Sequence, residues 1–484
     1  MYLRDLPKPP QIFDRAQEWN DLAAFVTDEE PGPRLGVLSG RRRQGKSFLL
    51  KALTEATGGF YFAAVEATRT ESLQLLGEAI GRFTDAPVPP RPHDWTEALQ
   101  LLFDLAAQRS VPVVIDEFPH LVTGDSSLPS RLRATLGARA GRHPRLLLCG
   151  SAMSCLGTSP QYTRPALNLV IRPLGYRKAA EFWAIDDPRL AVLTHAVVGG
   201  TPAYRREFVT NDVPERLEDF DDWVCRTALN PARRLHHEPQ FLIASEPDIR
   251  DRALYHSVLG AVAAGNHTSG GIASAVGRKA TDISQPLTVL KRCGLLTAEQ
   301  DAFRGNRSAY RIAEPLITFH HAVVRRNQAQ LTRQGNTAAA WAQAQDTFLS
   351  KVVGPHFEHL CRGWVAEHAD PDTFGGLPIE VTSGTVADPA ARTSHEVDVV
   401  VRGAVGQDHG ILLSIGEAKW NKEMDIRHLD RLRHILTLLT SRGFDTTHTR
   451  PACYSGIGFT PDLQAAAARG EVVLVDLRRL YGGA

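Results

Sequence analysis

The octapeptide GRRRQGKS, Gly40 to Ser47, constrains this chain more than any other feature of its sequence. It matches the pattern GxxxxGK(S/T); the run LGVLS before it predicts a strand, and FLLKALTEA after it predicts a helix. Glycines at both ends of such a loop let backbone N–H groups face a polyphosphate, and the helix N-terminus adds its dipole. The sequence therefore predicts a loop that binds ATP with Mg²⁺. The residues expected to contact the nucleotide are Gly40, Arg41, Arg42, Arg43, Gln44, Gly45, Lys46, Ser47 and Phe48.

A second motif complements this loop. Lys46 is expected to neutralise the β- and γ-phosphates, and the Ser47 hydroxyl is expected to ligate Mg²⁺. Farther along the chain, the apolar run VVI leads directly into Asp116 and Glu117. A buried strand would deliver both carboxylates at its end, Asp116 to hold the metal through water and Glu117 to polarise the attacking water. The pair favours ATP hydrolysis over binding alone, and a solvated acidic turn is the alternative.

A third polar residue follows the apolar run RLLLCG. Ser151 is expected to sense the γ-phosphate from the end of this predicted strand, although a serine in that position is often only a turn residue. Short apolar runs alternate with amphipathic stretches in this part of the chain, which predicts a parallel sheet covered by helices. The guanine-reading pattern NKxD is absent from the sequence, which favours adenine and leaves the purine open.

Several stretches resemble the archaeal-type ATPases of the AAA+/STAND group. The segments GRRRQGKS, VVIDEF and LLLCGS match the three nucleotide elements of that family, IFDRAQEWNDL resembles its N-terminal box, and VVGGTPAYRREF is similar to its lid signature. The resemblance covers about residues 10–330. It implies that Arg164 faces the γ-phosphate of its own or a neighbouring subunit as an arginine finger, and the second case requires self-association. The alternative is an arginine that is simply solvated.

Changes of pattern along the chain predict four domains. Residues 1–175 read as a P-loop ATPase core, and residues 176–249, where only helical patterns remain, as a helical lid. Residues 250–330 have three helical patterns and then two short strands, the order of a winged helix-turn-helix. Residues 341–484 return to alternating strands and helices after a polar linker. The predicted fold class is α/β multidomain: a parallel-sheet ATPase core, a helical lid, a winged helix and a restriction-endonuclease-like α/β domain.

The predicted winged helix carries local positive charge in a chain whose net charge is +1. Residues 250–326 contain 11 Lys and Arg against 5 Asp and Glu. We expect its third helix to begin with Thr281 or Asp282 as the cap, and its two strands to be joined by a turn at Gly305 and Asn306. Such a module could bind the phosphates of double-stranded DNA. It could also serve only to pack against the lid, as winged helices often do in the AAA+/STAND group.

The last segment resembles the PD-(D/E)XK nuclease fold through Asp398 and the later sequence Glu417-Ala418-Lys419. Neighbouring strand ends would let Asp398 and Glu417 share Mg²⁺, and Lys419, on the same face as Glu417, would orient or activate water. Glu358 matches the helix-borne acid of that family and is a third tentative metal ligand. The alternative is a Glu-x-Lys pair on an exposed strand. Residues 341–484 contain 14 Lys and Arg against 18 Asp and Glu, and this acidic balance, which repels DNA phosphates, leaves cleavage open.

Composition excludes other classes of protein. The six cysteines are scattered without a CxxC pair, which argues against a disulfide scaffold or a cysteine zinc site. No run approaches the roughly 18 apolar residues of a membrane span, so we expect a cytoplasmic protein without a membrane partner. Together these patterns predict an ATP-hydrolysing switch that couples nucleotide state to DNA engagement. The alternative is a non-nucleolytic regulatory ATPase whose C-terminal domain binds a protein partner.

Overall fold

The computed structural model of the chain describes residues 6–28, 30, 32, 34–137, 144–151, 165–244, 246, 249, 251–333, 335–406 and 408–482, with backbone only at 306, 307 and 408. The chain divides into two compact units, Met1–Pro173 and Leu174–Ala484. Each unit has its own sheet and its own hydrophobic cores. In the described part of the chain, no helix combines the length and the apolar character needed to cross a membrane.

The first unit alternates helices with strands. Its helices are α1 (Ala16–Thr27), α2 (Lys46–Thr57), α3 (Arg69–Thr84), α4 (Trp95–Arg109), α5 (Phe118–Gly124) and α6 (Leu128–Gly137). Its strands are β1 (Arg34–Ser39), β2 (Phe60–Ala63), β3 (Val113–Asp116), β4 (Arg145–Gly150) and β5 (Leu167–Val170). The strands form one parallel five-stranded sheet in the order β2-β3-β4-β1-β5. The parallel sheet predicted from the sequence is confirmed.

Successive side chains of the sheet enter two different cores. Val113 and Ile115 pack with residues of α3 to α6, whereas Val114 packs with residues of α1 and α2. This alternation follows from the period of two residues along a strand. Because β3 and β4 are buried along their whole length, their sequences are continuous apolar runs instead of alternating patterns.

The second unit begins with helices and continues into a three-helix group with a hairpin. The first helices are α7 (Tyr176–Trp183), α8 (Pro188–Val198), α9 (Phe220–Arg226) and α10 (Arg234–Ala244). The three-helix group and its hairpin are α11 (Arg252–Ala263), α12 (Ser269–Val276), α13 (Ala280–Arg292), β6 (Leu296–Asp301) and β7 (Arg304–Ile312). Helices that connect this group to the last segment are α14 (Pro315–Phe319), α15 (Gln328–Leu331), α16 (Thr337–Thr347), α17 (Gly354–Glu367) and α18 (Pro371–Phe374). Single π or 3₁₀ turns are Tyr204–Phe208, Leu217–Asp219, His320–Val324, Arg325–Asn327 and Phe348–Val353.

The last segment contains a mixed sheet. Its elements are β8 (Leu377–Asp388), β9 (Thr393–Val405), β10 (Asp408–Lys419), α19 (Ile426–Ser441), β11 (Arg450–Ser455), α20 (Pro461–Ala468), β12 (Val473–Val475) and α21 (Leu477–Leu480). The strand order is β12-β11-β10-β9-β8, with antiparallel pairing from β8 to β10 and parallel pairing from β10 to β12. The apolar side of α19, which includes Leu432 and Ile435, packs in one core with Val397 and Ile415 of the sheet.

Two local expectations for the three-helix group are wrong. Helix α13 begins at Ala280 with Lys279 as its N-cap, and Asp282 serves the helix start from the third helical position, where its carboxylate accepts the N–H of Lys279 at 3.3 Å. The hairpin turn lies at 302–303 instead of at Gly305 and Asn306. There the Asp301 carboxylate accepts the N–H of Phe303 at 2.9 Å and thereby closes the turn.

The tip of this hairpin packs on the mixed sheet. Ala302 donates its N–H to the Ser383 carbonyl at 3.0 Å, and Arg402 donates to the Ala302 carbonyl at 3.1 Å. The Phe303 ring contacts Phe444 edge to face with centroids 5.6 Å apart. Ala302 and Phe303 join the hydrophobic core formed by the sheet and α19. The hairpin and the mixed sheet are therefore held together by both hydrogen bonds and apolar contacts.

Candidate functional site

The loop after β1 has a conformation that requires glycine. Gly40 has a φ of 136°, and a Cβ there would lie 2.3 Å from the carbonyl oxygen of Ile171. Gly45 has a φ of 89° and is the N-cap of α2. No side chain caps α2 within the described chain, so the N–H groups at its start face the loop and can receive an anion. The glycines of the motif thus shape a backbone cradle at a helix N-terminus.

Lys46 is only 6% exposed, and its ammonium lies inside the loop. Its Nζ donates to the carbonyls of Gly40 at 2.7 Å and Arg41 at 2.8 Å. Burial lowers the pKa of Lys46, and the nearby carboxylates of Glu117 and Asp116 offset part of that effect. The ammonium is therefore positioned to exchange two backbone carbonyls for phosphate oxygens.

Asp116 lies at the end of β3 and is 2% exposed. Its Oδ2 accepts the hydroxyl of Tyr61 at 2.6 Å, and its Oδ1 accepts the N–H of Glu117 at 2.9 Å. Burial alone would raise the pKa of Asp116, but hydrogen bonds from the Ser47 and Tyr61 side chains hold it below its usual value. The carboxylate is therefore ionised. Hydroxyl and carboxylate oxygens are ligands that Mg²⁺ accepts.

Glu117 follows directly and has a left-handed backbone with a φ of 52°. It is half-buried and serves as the N-cap of α5. A side chain other than glycine is uncommon in this conformation, and such strain clusters at functional sites. The sharp change of direction separates Glu117 from the buried strand and leaves it accessible beside Asp116.

The sheet order brings Ser151, the predicted γ-phosphate sensor, to the carboxyl edge of the sheet where the loop and Asp116 lie. Strand β4 lies between β1 and β3, with Gly150 paired to Ser39, so Ser151 follows the strand where the loop begins. Ligands of parallel α/β sheets bind at this carboxyl edge. Phe48 is 43% exposed and Gln44 is buried. Arg164, the expected arginine finger, lies outside the described residues.

A second group of charged side chains converges at the mixed sheet. Lys419 Nζ lies 3.0 Å from Glu417 Oε1 and 3.7 Å from Asp398 Oδ2. Asp398 Oδ2 also accepts the N–H of Ala418 at 2.9 Å, because β9 and β10 are adjacent strands. Glu358 on α17 is close enough for its charge to interact with those of Asp398 and Lys419. The structure therefore brings together all four residues predicted for this site.

The electrostatics of this group are unusual. Burial and the charge of Asp398 raise the pKa of Glu358 to about 8, and burial also raises the pKa of Asp398. Burial would raise the pKa of Glu417 as well, but Lys419 and Arg431 hold it below its usual value. Burial would lower the pKa of Lys419, but Asp398 and Glu417 raise it. At Glu358 and Asp398 the cost of desolvation thus outweighs the nearby cations, a condition that a bound divalent ion would relieve.

Sequence reasoning missed the residues that support both groups. Tyr61 on β2 reaches Asp116, and Arg431 on α19 lies with its Nη1 2.8 Å from Glu417 Oε2. Arg362 on α17 donates to the Asp398 carbonyl at 2.7 Å. None of these residues belongs to a local motif, and each reaches its partner only through tertiary packing.

Arg362 also connects this group to the hairpin. Its Nε lies 3.7 Å from Glu299 Oε2 on β6, and the other oxygen of Glu299 lies 3.6 Å from Arg311 Nε on β7. Burial lowers the pKa of Arg311 to about 10. One hairpin carboxylate thus pairs with two arginines, one of which holds the backbone of Asp398.

Comparisons with known proteins give weak likenesses. No family model matches the chain. An uncharacterized protein of Methanocaldococcus jannaschii is 24% identical over 294 residues, which cover 59% of this chain and 62% of that protein's length. Among solved structures, the Orc1 protein of Aeropyrum pernix in complex with DNA is 13% identical, with a TM-score of 0.32 over 68% of this chain and 95% of that one.

Two further solved structures are similar at the same level. Cdc6p from Pyrobaculum aerophilum is 15% identical, with a TM-score of 0.30 over 68% of this chain and 97% of its own. A signal transduction ATPase with numerous domains (STAND) from Pyrococcus horikoshii, which has a tetratricopeptide repeat sensor, is 12% identical, with a TM-score of 0.28 over 75% of this chain and 51% of its own. Likenesses of this size do not place the chain in a family, so its function is inferred from its own residues.

Proposed function

We propose that the chain is a Mg²⁺-dependent ATPase with its nucleotide site in residues 1–175. The observation that carries the proposal is the ammonium of Lys46, which a glycine-dependent loop encloses and which donates to the carbonyls of Gly40 and Arg41. The ionised Asp116 carboxylate at the end of β3 is close enough for its charge to act on this ammonium. A triphosphate with its metal is the ligand that would use backbone donors, an ammonium and oxygen ligands at once.

Each residue then has a role. Gly40 to Phe48 surround the phosphates, and Lys46 exchanges its backbone carbonyls for the β- and γ-phosphates. Mg²⁺ held near Ser47 and Asp116 would offset the phosphate charge. Glu117 orients and polarises the attacking water, and Ser151 contacts the γ-phosphate. Arg164 completes the site as an arginine finger, supplied in cis or by self-association.

Two conservative variants separate metal binding from hydrolysis. Asp116→Asn should weaken binding of a Mg²⁺–ATP analogue in calorimetry, because the metal loses its anionic partner. Glu117→Gln should keep binding and lose turnover by about 10²–10⁴-fold, the usual contribution of a general base. Glu55→Gln, an exposed acid on α2, is the matched control and should behave as wild type. Turnover that survives in Glu117→Gln, or wild-type protein that binds no nucleotide, would refute the proposal.

Residues 250–330 are proposed to form a winged helix that engages double-stranded DNA through α13. Helices α11, α12 and α13 share one hydrophobic core with β6 and β7, which supports this assignment. Because the hairpin tip packs on the mixed sheet, α13 is the better candidate surface. Its exposed polar side chains are Thr281, Asp282, Ser284, Gln285, Thr288, Lys291 and Arg292.

Fluorescence anisotropy with duplex DNA tests this surface. Lys291→Ala and Arg292→Ala should each weaken DNA binding. Each should also reduce the slope of log affinity against log salt concentration by about 1, the loss of one phosphate contact. Lys422→Ala removes an exposed lysine elsewhere in the same unit and should leave the affinity unchanged. Equal affinities for all four proteins would assign the three-helix group to packing instead of DNA binding.

Residues 341–484 are the second candidate site, a nuclease-like domain that uses Mg²⁺. The convergence of Glu358, Asp398, Glu417 and Lys419 supports it. Mg²⁺-dependent cutting of duplex DNA should disappear in Asp398→Ala while ATP turnover persists. Wild-type protein that never cuts would favour the alternative, a regulatory ATPase whose C-terminal domain binds a protein partner.

The ATPase and the DNA-binding region are proposed to be coupled through residues 176–249 acting as a lid. Nucleotide state would then alter DNA affinity, because a ligand shifts an equilibrium only if it binds two states differently. Anisotropy with a non-hydrolysable ATP analogue and with ADP measures the coupling directly. Equal DNA affinity in both nucleotide states would remove this part of the proposal.

A further inference from the structure

Three side chains with metal-ligating atoms meet at one end of the mixed sheet, apart from the carboxylate group described above. Asp388 ends β8, His395 lies near the start of β9, and His434 lies on α19. Nε2 of His434 lies 2.9 Å from Oδ2 of Asp388, and Nε2 of His395 lies 3.5 Å from the same oxygen. All three ligand atoms lie within 4.8 Å of one another.

These distances suit a tetrahedral ion. Zn²⁺ binds histidine nitrogen and carboxylate oxygen at about 2.0–2.2 Å, which places neighbouring ligand atoms about 3.3 Å apart. The two measured separations, 2.9 and 3.5 Å, lie on either side of that value. Two imidazoles and one carboxylate favour a borderline transition ion over Mg²⁺, which prefers oxygen ligands. His434 is half-exposed, so a fourth position is open to water.

Among the residues that the structure describes, Asp388 is ion-paired only with the two histidines. Its carboxylate is almost fully buried, and no lysine or arginine of the described residues lies within ion-pair distance of it. Ala391 donates its N–H to Oδ1 at 3.1 Å, which orients the other oxygen toward the two histidines. A buried and oriented carboxylate between two imidazoles is a suitable ligand set for a metal ion.

We propose that Asp388, His395 and His434 bind one Zn²⁺ ion. The ion joins the end of the β8–β9 hairpin to α19, which also contact each other through the apolar core and through hydrogen bonds. Arg431 lies one helical turn before His434 and pairs with Glu417, so the ion also restrains the helix that supports the carboxylate group. Three protein ligands from three elements of one domain leave the fourth position to water, and the ion cross-links these elements.

Zinc and cobalt binding to the full chain test the site directly. Protein stripped with a chelator and free of nucleotide is titrated with Zn²⁺ by calorimetry and with Co²⁺ by visible absorption, which reports tetrahedral nitrogen and oxygen ligands. Wild-type protein should bind Zn²⁺ at the triad and show the tetrahedral Co²⁺ bands. Loss of a residue that only hydrogen-bonds to a metal ligand lowers metal affinity by about 10–100-fold. His395→Ala and His434→Ala should each lower the affinity for Zn²⁺ by more than that.

Two controls assign the signal to the triad. His448→Ala removes an exposed histidine of the same domain, and Asp398→Ala removes a carboxylate of the other group; both should keep the Co²⁺ bands. Because His434 is half-exposed, His434→Ala should fold, and circular dichroism checks that it does. Wild-type protein without Co²⁺ bands, or bands that persist in both folded histidine variants, would overturn the proposal and leave the triad as a hydrogen-bonded cluster.

Discussion

Metal binding at the carboxylate group should depend steeply on pH. The pKa of Glu358 is raised to about 8 by burial and by Asp398, so this carboxyl group is protonated at neutral pH in the metal-free protein. A metal ligand must be deprotonated, and the ion therefore competes with one proton. One-proton competition at a pKa of about 8 increases the apparent affinity about ninefold from pH 6 to 7 and about fivefold from pH 7 to 8, with a plateau near pH 9.

Calorimetric titration of nucleotide-free protein with Mn²⁺ at pH 6, 7, 8 and 9 measures this slope. Glu358→Gln cannot titrate and should give a nearly flat profile. Without metal, the wild type should lose stability as the pH rises from about 4.5 to about 8, because the native state keeps a proton that the unfolded chain has released. A flat wild-type profile, or the same slope in Glu358→Gln, would refute the reasoning.

Three substitutions test other contacts. Gly40→Ala should abolish nucleotide binding in calorimetry, because its Cβ would meet the Ile171 carbonyl oxygen at 2.3 Å. Tyr61→Phe should destabilise the first unit by about 1.5–3 kcal/mol in urea unfolding, because the buried Asp116 carboxylate loses a charged hydrogen bond; unchanged stability would contradict a stabilising role for this bond. Phe303→Ala should cost about 2 kcal/mol, less than the about 3–5 kcal/mol of a fully buried phenylalanine because this ring is half-buried, and should expose the hairpin to protease; unchanged proteolysis would contradict the observed packing.

Local chemistry made the nucleotide loop predictable. The backbone cradle, the ammonium and the hydroxyl all belong to eight consecutive residues. The local sequence alone is therefore enough to predict this loop. Tyr61 is a different case: β2 pairs in parallel with β3, with Ala63 beside Asp116, and only that register brings the phenol to the carboxylate. Strand order and register depend on contacts distant in sequence, which a single sequence does not encode locally.

The same distinction explains the errors and omissions in the second unit. The Gly305–Asn306 pair has a strong turn preference, but Asp301 closes an earlier turn and Phe303 gains burial there, so tertiary packing overrides local preference. Asp398, Glu417 and Lys419 could be grouped by strand periodicity. Arg431 could not, because it reaches Glu417 only after α19 has packed on the sheet.

The hairpin contact with α17 has a thermodynamic consequence. Glu299 on the hairpin pairs with Arg362, which in turn bonds the carbonyl of Asp398. A nucleic acid or protein that displaced the hairpin would leave Arg362 without this anion and disturb the strand that presents Asp398. By linkage, an ion bound at Asp398 would lower the affinity for the displacing ligand. The factor is the same as that by which the ligand lowers the affinity for the ion.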